Sequence, residues 1–424
     1  MSSWWLLLLP LCPLPVGADR TVRRTPWVTY VILFANAVIF LATQTDHGVD
    51  SGDLFRRWGV VPAEFHVAAL FTAPFFHLSL WHLFWNSLFL WVFGPLVEDA
   101  LGPLTYALLY LGGGAVAGLL DGRIVMMLAA HNEAFQAMTT EPVVGASGAI
   151  TAILAPFAVR YHRSKIRLVW LPAVLLRRKM DDLQMPAVYA ILFLVGENVI
   201  GAFYGWLRPD SDDVAYWAHL GGFAFGYAVA GLSGLFMAGT QEGLVDEARQ
   251  AMARQPAGYS VAVGKYRAYL ELDPKNLPVR LEMVEALAGL ARTNGNATMN
   301  AQAAGDLQSI ARAYLDAADL RQVVSVIVLG KRLGLPLEIP VPDRLRVAVT
   351  AQEIGDQPMA VALLESLLVD VSTPDDEIAR LRLGQILVDT DPRRAADVLD
   401  SLIARYPDSD WIRMARQLRR QLSA

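Results

Sequence analysis

Three apolar stretches of this 424-residue chain carry polar groups able to do chemistry. The first holds His77, His82 and Asn86. The second is Gly145-Ala146-Ser147-Gly148-Ala149, and the third is Ala218-His219 followed by Gly221, Gly222 and Gly226. A polar group in lipid is costly unless it is satisfied, so each of these needs a reason. A serine hydroxyl is a weak nucleophile that needs an adjacent base, and His219 would take its proton and later pass it to a leaving amine. The tetrahedral intermediate of acyl transfer needs donors aimed at its oxyanion; the Asn86 carboxamide, the His82 ring N–H and the Ser147 backbone N–H are suitable. No carboxylate is evident as a third member, so the expectation is a Ser147–His219 dyad rather than a triad. Each set also has a plainer reading. His82 and Asn86, at i and i+4, share a helical face and can glue helices by hydrogen bonds, while the small residues around Ser147 and His219 suit close helix packing. The serine motif is not the Gly-x-Ser-x-Gly elbow of soluble hydrolases, because position 149 is Ala.

The elements that must position these groups are membrane helices. Residues 1–239 contain 30 charged side chains and the 185 residues after them contain 47, and the mean hydropathy of the whole chain is +0.35. A spanning helix needs about 20 residues with little charge. Six windows qualify: Thr25–Thr45, Phe65–Val97, Ala100–Leu120, Pro142–Val159, Leu183–Leu207 and Val214–Gln241. Only the fifth carries a charge, Glu197, which reads as structural. The start of the second, through Pro74 and His77, reads as a membrane-embedded or interfacial loop before a helix beginning near Ser79. Arg20, Arg23 and Arg24 precede the first span, and Arg160, Arg163, Lys165, Arg167, Arg177, Arg178 and Lys179 lie between the fourth and fifth. Both clusters belong on the cytoplasmic side, which puts both termini there. Spans two, four and six then run inward from the outer face. Ser147 follows Glu141 and His219 follows Asp213 by the same six residues, so both sit up to roughly 9 Å into their spans. His82 and Asn86 fall in the same outer half, and a shared depth favours one common site.

Taken together, residues Pro26–Gly234 resemble a rhomboid intramembrane serine protease. The resemblance rests on His82-x-x-x-Asn86, the segment Trp91-Val-Phe-Gly94 through Glu98 to Gly102, Gly145-x-Ser147-Gly148, and Ala218-His219-x-x-Gly222-x-x-x-Gly226. It implies a six-helix core, a Ser147–His219 dyad, an oxyanion hole from His82, Asn86 and the Ser147 backbone, and cleavage of transmembrane protein substrates near the outer region of the lipid bilayer. No metal or nucleotide cofactor is implied. Gly145, Gly148, Gly222 and Gly226 would supply the close packing. Trp85 occupies the position from which family members gate lateral substrate entry; its plainer reading is lipid-facing bulk. Two features depart from the pattern. Some members carry an aromatic residue one turn after the serine, stacked on the histidine, where this chain has Thr151. The Trp-Arg pair of the first loop is reversed, as Arg57-Trp58.

From residue 241 onward the pattern changes to amphipathic helices with short Pro, Gly and Asp breaks, among them Tyr259–Leu272, Asn276–Arg292, Pro358–Val369, Asp375–Val388, Arg393–Tyr406 and Asp408–Leu422. The units Tyr266–Ala288 and Val398–Leu418 share a helix, an Asp-Pro or Pro-Asp turn and a second helix, which resembles degenerate tetratricopeptide (TPR) repeats. The expected fold is therefore all-α: a polytopic six-helix rhomboid-like bundle (25–240) followed by a cytoplasmic TPR-like domain (241–424) that binds a protein partner. Residues 1–24 form an N-terminal cytoplasmic or interfacial segment, of which 4–17 are apolar but too short to span. The expected location is the bacterial cytoplasmic membrane, as a multi-pass protein. A net charge of −5 argues against nucleic acid as a partner, and the lone Cys12 excludes an intramolecular disulfide and a Cys-based zinc site. Metalloprotease and aspartyl chemistry lack His-Glu-x-x-His and a membrane Asp pair. An unrelated transporter would show paired repeats, which are not evident. The competing function is a catalytically inactive rhomboid-like protein that binds or escorts membrane clients.

Overall fold

Long apolar runs become helices because only a helix or a closed barrel satisfies its backbone without water. The computed structural model describes residues 13–44, 51–170, 183–207, 215–368 and 375–422. Its first unit, residues 1–243, contains α1 (Trp27–Gln44), α2 (Ser51–Trp58), α3 (Val67–Thr72), α4 (Leu80–Leu101), α5 (Pro103–Ala129), α6 (Ser147–Tyr161), α7 (Ala187–Leu207) and α8 (Tyr216–Leu232), with α9 (Leu235–Met252) beginning in it. The expected Arg177, Arg178, Lys179, Cys12 and the outer loop 208–213 lie outside the described residues, as does most of the apolar 4–17 stretch.

The expected count of six spans is not reached by helix length. Among the described residues α4, α5 and α7 are long and apolar enough to cross a membrane, and a fourth span arises only if α8 and α9, bent by 73°, count as one. α6 has 15 residues, about 22 Å. It begins late because the chain before it, expected to be helical, bridges to Val60 instead: Val143 and Val60 exchange both backbone hydrogen bonds (2.9 and 3.0 Å). Gly145 then adopts φ +131, which no helix can accommodate. The window expected to run to Gln241 breaks at Gly234.

The fold is nearly all-α, as expected, with one small sheet added. β1 (Pro13–Ala18), β2 (Lys165–Trp170) and β3 (Leu183–Pro186) pair antiparallel in that order. Within β2, Ile166 and Leu168 are buried while Lys165 and Arg167 face out, the period-two alternation of a half-buried strand. The segment read as interfacial thus ends in a strand. The fold is otherwise nearly all helical.

One buried carboxylate organises the front of the first unit. Glu98 of α4, 4% exposed, accepts from the backbone N–H groups of Val28 (3.0 Å) and Thr29 (2.8 Å) and from the Thr29 hydroxyl (2.7 Å). Those are first-turn donors of α1 that have no partner within their own helix. Gly94, one turn earlier, lets α1 come close: a Cβ there would stand 2.9 Å from Thr29 Cγ2 and 2.6 Å from the Tyr106 hydroxyl. Gly102, at φ +80, ends α4 and lets the chain turn at once into α5 at Pro103.

The second unit, residues 244–424, is a succession of helices: α10 (Tyr259–Leu272), α11 (Leu277–Asn294), α12 (Ala297–Asp316), α13 (Leu320–Leu333), α14 (Val341–Glu353), α15 (Gln357–Leu368), α16 (Asp376–Thr390), α17 (Pro392–Arg405) and α18 (Ile412–Gln421). From α10 to α18, helices that follow one another in sequence pack together. A continuous core runs from Val245 through Leu287, Leu307, Val326 and Leu364 to Ala395.

Candidate active site

Ser147 is the first residue of α6, and His219 lies in the first turn of α8. The two helices meet through backbone. A Cβ added to Gly222 would overlap Gly148 O, and one on Gly226 would overlap Ala152 O; a Cβ on Gly148 would stand 3.7 Å from Ala218 O. Gly148 therefore sits beside Ala218, which brings their chain neighbours Ser147 and His219 to one level. That level is reached differently from the expected route, since Ser147 follows the Val143 bridge and the Gly145 turn rather than an inward-running helix.

His82 packs on the other side of the serine loop. Its ring fills the place a side chain would take at Gly145, with Cε1 and Nε2 2.6 and 2.7 Å from an ideal Cβ. Only glycine fits there, on space and on its positive φ alike. α4 begins one turn before, with Ser79 as N-cap accepting from His82 N (3.1 Å). Asn86 is buried and donates from Nδ2 to His82 O (2.9 Å), which engages one of its two N–H groups. His77 is fully buried and edge-on to His82, ring centroids 5.2 Å apart, with neither ring nitrogen hydrogen-bonded to protein. His82 and His219 are within electrostatic reach of each other. The structure thus gathers the α4, α6 and α8 residues around the start of α6, where unpaired backbone N–H groups favour negative charge.

The position one turn after the serine is filled by Thr151, whose hydroxyl donates to Gly148 O (2.8 Å) and packs against Gly222. A residue missed in the sequence touches the histidine instead. Asn198 of α7 has its Oδ1 2.6 Å from His219 Nδ1, while its Nδ2 donates to Leu194 O (2.7 Å). Its only sequence signal was a second polar residue beside Glu197 in an apolar window. Asp121 of α5, 4% exposed, was also missed; its carboxylate lies against the backbone N–H of Ala218. Glu197 itself lines an open groove of about 450 Å³ with Phe193, Ile200, Tyr204 and Tyr216. Trp85 makes its ring contacts with Trp81 and Phe84 of its own helix. Among the described residues no group of three or more His, Cys, Asp or Glu is placed to hold a metal ion.

Residues 64–235 match the family model described as the rhomboid domain. The chain carries a rhomboid domain. All the site residues above fall inside it. Presenilin-associated rhomboid-like protein A, mitochondrial, of Danio rerio is 29% identical over 156 residues, 36% of this chain and 34% of its own. Rhomboid protein 1, mitochondrial, of Saccharomyces cerevisiae is 31% identical over 154 residues, 36% of this chain and 38% of its own. The rat presenilin-associated rhomboid-like protein, mitochondrial, is 26% identical over 154 residues, 36% of this chain and 35% of its own. The chain therefore matches little more than a third of the length of these relatives. Yeast Tom70 aligns with 93% of this chain and 79% of its own at 12% identity, but with a TM-score of 0.20 the likeness carries no weight for the fold. The rhomboid domain and its apolar helices make this an integral membrane protein.

Proposed function

We propose that the rhomboid domain is an intramembrane serine endopeptidase that cleaves transmembrane segments of membrane proteins through Ser147 and His219. The observation that carries this reading is the backbone contact of α6 with α8 through Gly148, Gly222 and Gly226, which supports pairing the residues next to Gly148 and Ala218. His219 Nε2 takes the proton of the Ser147 hydroxyl as Oγ attacks the scissile carbonyl. The oxyanion that forms is held by the Asn86 carboxamide, the His82 ring N–H and the Ser147 backbone N–H. Collapse of this intermediate breaks the C–N bond, and the imidazolium passes its proton to the leaving amine. Water, deprotonated by the same base, then hydrolyses the acyl-enzyme. Trp85 serves as a lateral gate for the substrate helix. The relatives named above are mitochondrial, and they lend no support to a bacterial membrane. The basic residues flanking α1 and following α6 favour placing those segments, and both termini, on one side of the bilayer with the site toward the other. The C-terminal helices act as a TPR-like surface for a protein partner. No observation favours the inactive, client-binding alternative.

The test is cleavage of a transmembrane substrate by the purified full chain in liposomes. Wild type cleaves, and Ser147→Ala and His219→Ala fall to background. Full cleavage by Ser147→Ala sinks the proposal. Asn86→Ala should retain cleavage at roughly 100-fold lower turnover, the usual cost of one oxyanion donor.

A further inference from the structure

We propose that Asn198 is the positioning residue for the His219 base, fixing its tautomer so that Nε2, the nitrogen assigned above to take the Ser147 proton, is the unprotonated one; this rests on the dyad reading above. The orientation of the carboxamide is settled by its second partner. Leu194 O only accepts, so the atom 2.7 Å from it is the NH2 group, and the atom facing His219 is the oxygen. That oxygen has no hydrogen to give. At 2.6 Å the hydrogen bond therefore needs the proton on His219 Nδ1. A neutral imidazole carries one proton, so Nε2 is left with its lone pair, as a general base requires. When the ring becomes imidazolium in the transition state, the same bond turns charge-assisted and strengthens. Stabilisation that grows along the reaction lowers the barrier rather than merely binding the ground state.

The surroundings fit this role. α7 is held against the start of α8 at Gly201, where a Cβ would overlap the Tyr216 ring, so the helix bearing Asn198 is registered three residues from the base it contacts. The α6 position that could present a ring to His219 is Thr151, whose hydroxyl is committed to Gly148 O. The histidine is thus oriented from α7 by a hydrogen bond instead of from α6 by stacking. A plain structural role, gluing α7 to α8, would also use this contact, and the experiment must separate the two.

The full chain in proteoliposomes is assayed on a transmembrane substrate across about pH 5 to 9, as wild type, Ser147→Ala, Asn198→Leu and Asn198→Asp. Leucine keeps the shape and removes the acceptor: kcat falls at least about tenfold with KM unchanged. Aspartate keeps the acceptor and adds charge. It retains kcat within a few-fold on the alkaline side, and the acidic limb of its profile moves to higher pH because a carboxylate favours the imidazolium. Wild-type kcat in Asn198→Leu, an Asp variant as inactive as the Leu variant, or an Asp variant with the wild-type acidic limb overturns the assignment. If Asn198→Leu fails to fold, the Asp profile alone decides. Cleavage surviving Ser147→Ala would instead overturn the dyad, so the two failures are distinguishable.

Discussion

Two helix starts of the membrane unit are satisfied from far along the chain, although α4 keeps a local cap in Ser79, whereas several of the C-terminal unit are capped by the residue just before them. In the membrane unit the first-turn N–H groups of α1 are met by Glu98, some 70 residues further along the chain, and the start of α8 is met by Asp121 of α5. In the C-terminal unit the partner is the residue just before the helix. Asn276 accepts from Val279 N, Asn296 from Met299 N, Asp319 from Gln322 N and Asp391 from Arg394 N, at 3.1–3.3 Å. Contact between helices differs in the same sense. α6 and α8 touch backbone to backbone through glycines, whereas α10 to α18 meet through a core of Leu, Val, Ile and Ala. Without water to solvate a loose backbone end, a membrane helix can borrow its cap from a neighbour, as α1 and α8 do, which turns capping into tertiary structure. The C-terminal helices named above are completed locally and joined by apolar area.

This contrast predicts that damage spreads in one unit and stays local in the other. The largest effect on stability is expected at Asp376, 1% exposed, which accepts from Arg380 (2.9 Å) and Tyr406 (2.6 Å). Burial pushes its carboxyl upward, but the bonds from Arg380 and Tyr406 outweigh it and hold the group below its ordinary value. Asp376→Asn should cost about 3 kcal/mol at neutral pH, read as denaturant unfolding of the C-terminal helices. A depressed carboxyl stabilises the fold above its unfolded value and loses that contribution as pH falls, so the gap should close below about pH 4. Labelling of Ser147 by a fluorophosphonate should be unchanged in this variant.

Gly222→Ala should do the reverse. Its Cβ overlaps Gly148 O, α6 and α8 must part, and a shift of about 1 Å at the reacting groups costs about 100-fold in turnover, or about 2.7 kcal/mol. Normal cleavage by this variant would break the claim that backbone contact aligns the site. Glu98→Gln leaves a carboxamide N–H facing an N–H donor and should lower stability by about 2 kcal/mol in a thermal melt in detergent, with loosening at α1 seen by hydrogen exchange. Asn276→Ala removes a local cap and should cost only about 1 kcal/mol, confined to α11.

The same contrast explains what was legible from the residues alone. α10 was expected over the residues it occupies, Tyr259–Leu272, because its stop is a local Asp-Pro turn. α12, α13 and α14 went unmarked, although Asn296 and Asp319 were readable caps and Ala303, Leu307, Ile310, Ala311 and Tyr314 form a buried stripe at helical spacing on α12. His82, Asn86, Ser147 and His219 stood out as isolated polar groups in apolar windows. Asn198 did not, because its meaning lies in a partner on another helix, and Glu197 beside it was the louder signal. Glu98 was visible only as part of a motif, since its partners lie some 70 positions away. The sheet was hidden by charge: Lys165 and Arg167 were read for topology, and the alternating Ile166 and Leu168 between them were overlooked. The expected depth of Ser147 assumes a helix from Pro142, whereas the helix starts only at Ser147, after the Val143 bridge and the Gly145 turn.

In the proposed mechanism His219 activates Ser147 within the membrane unit. Peptide mapping by mass spectrometry of the purified full chain after fluorophosphonate treatment tests it most directly. The expected result is a single adduct on Ser147 in wild type, reduced to background in His219→Ala of unchanged thermal stability. An unmodified Ser147 in folded wild-type protein, or an adduct forming at the wild-type rate in His219→Ala, would contradict it.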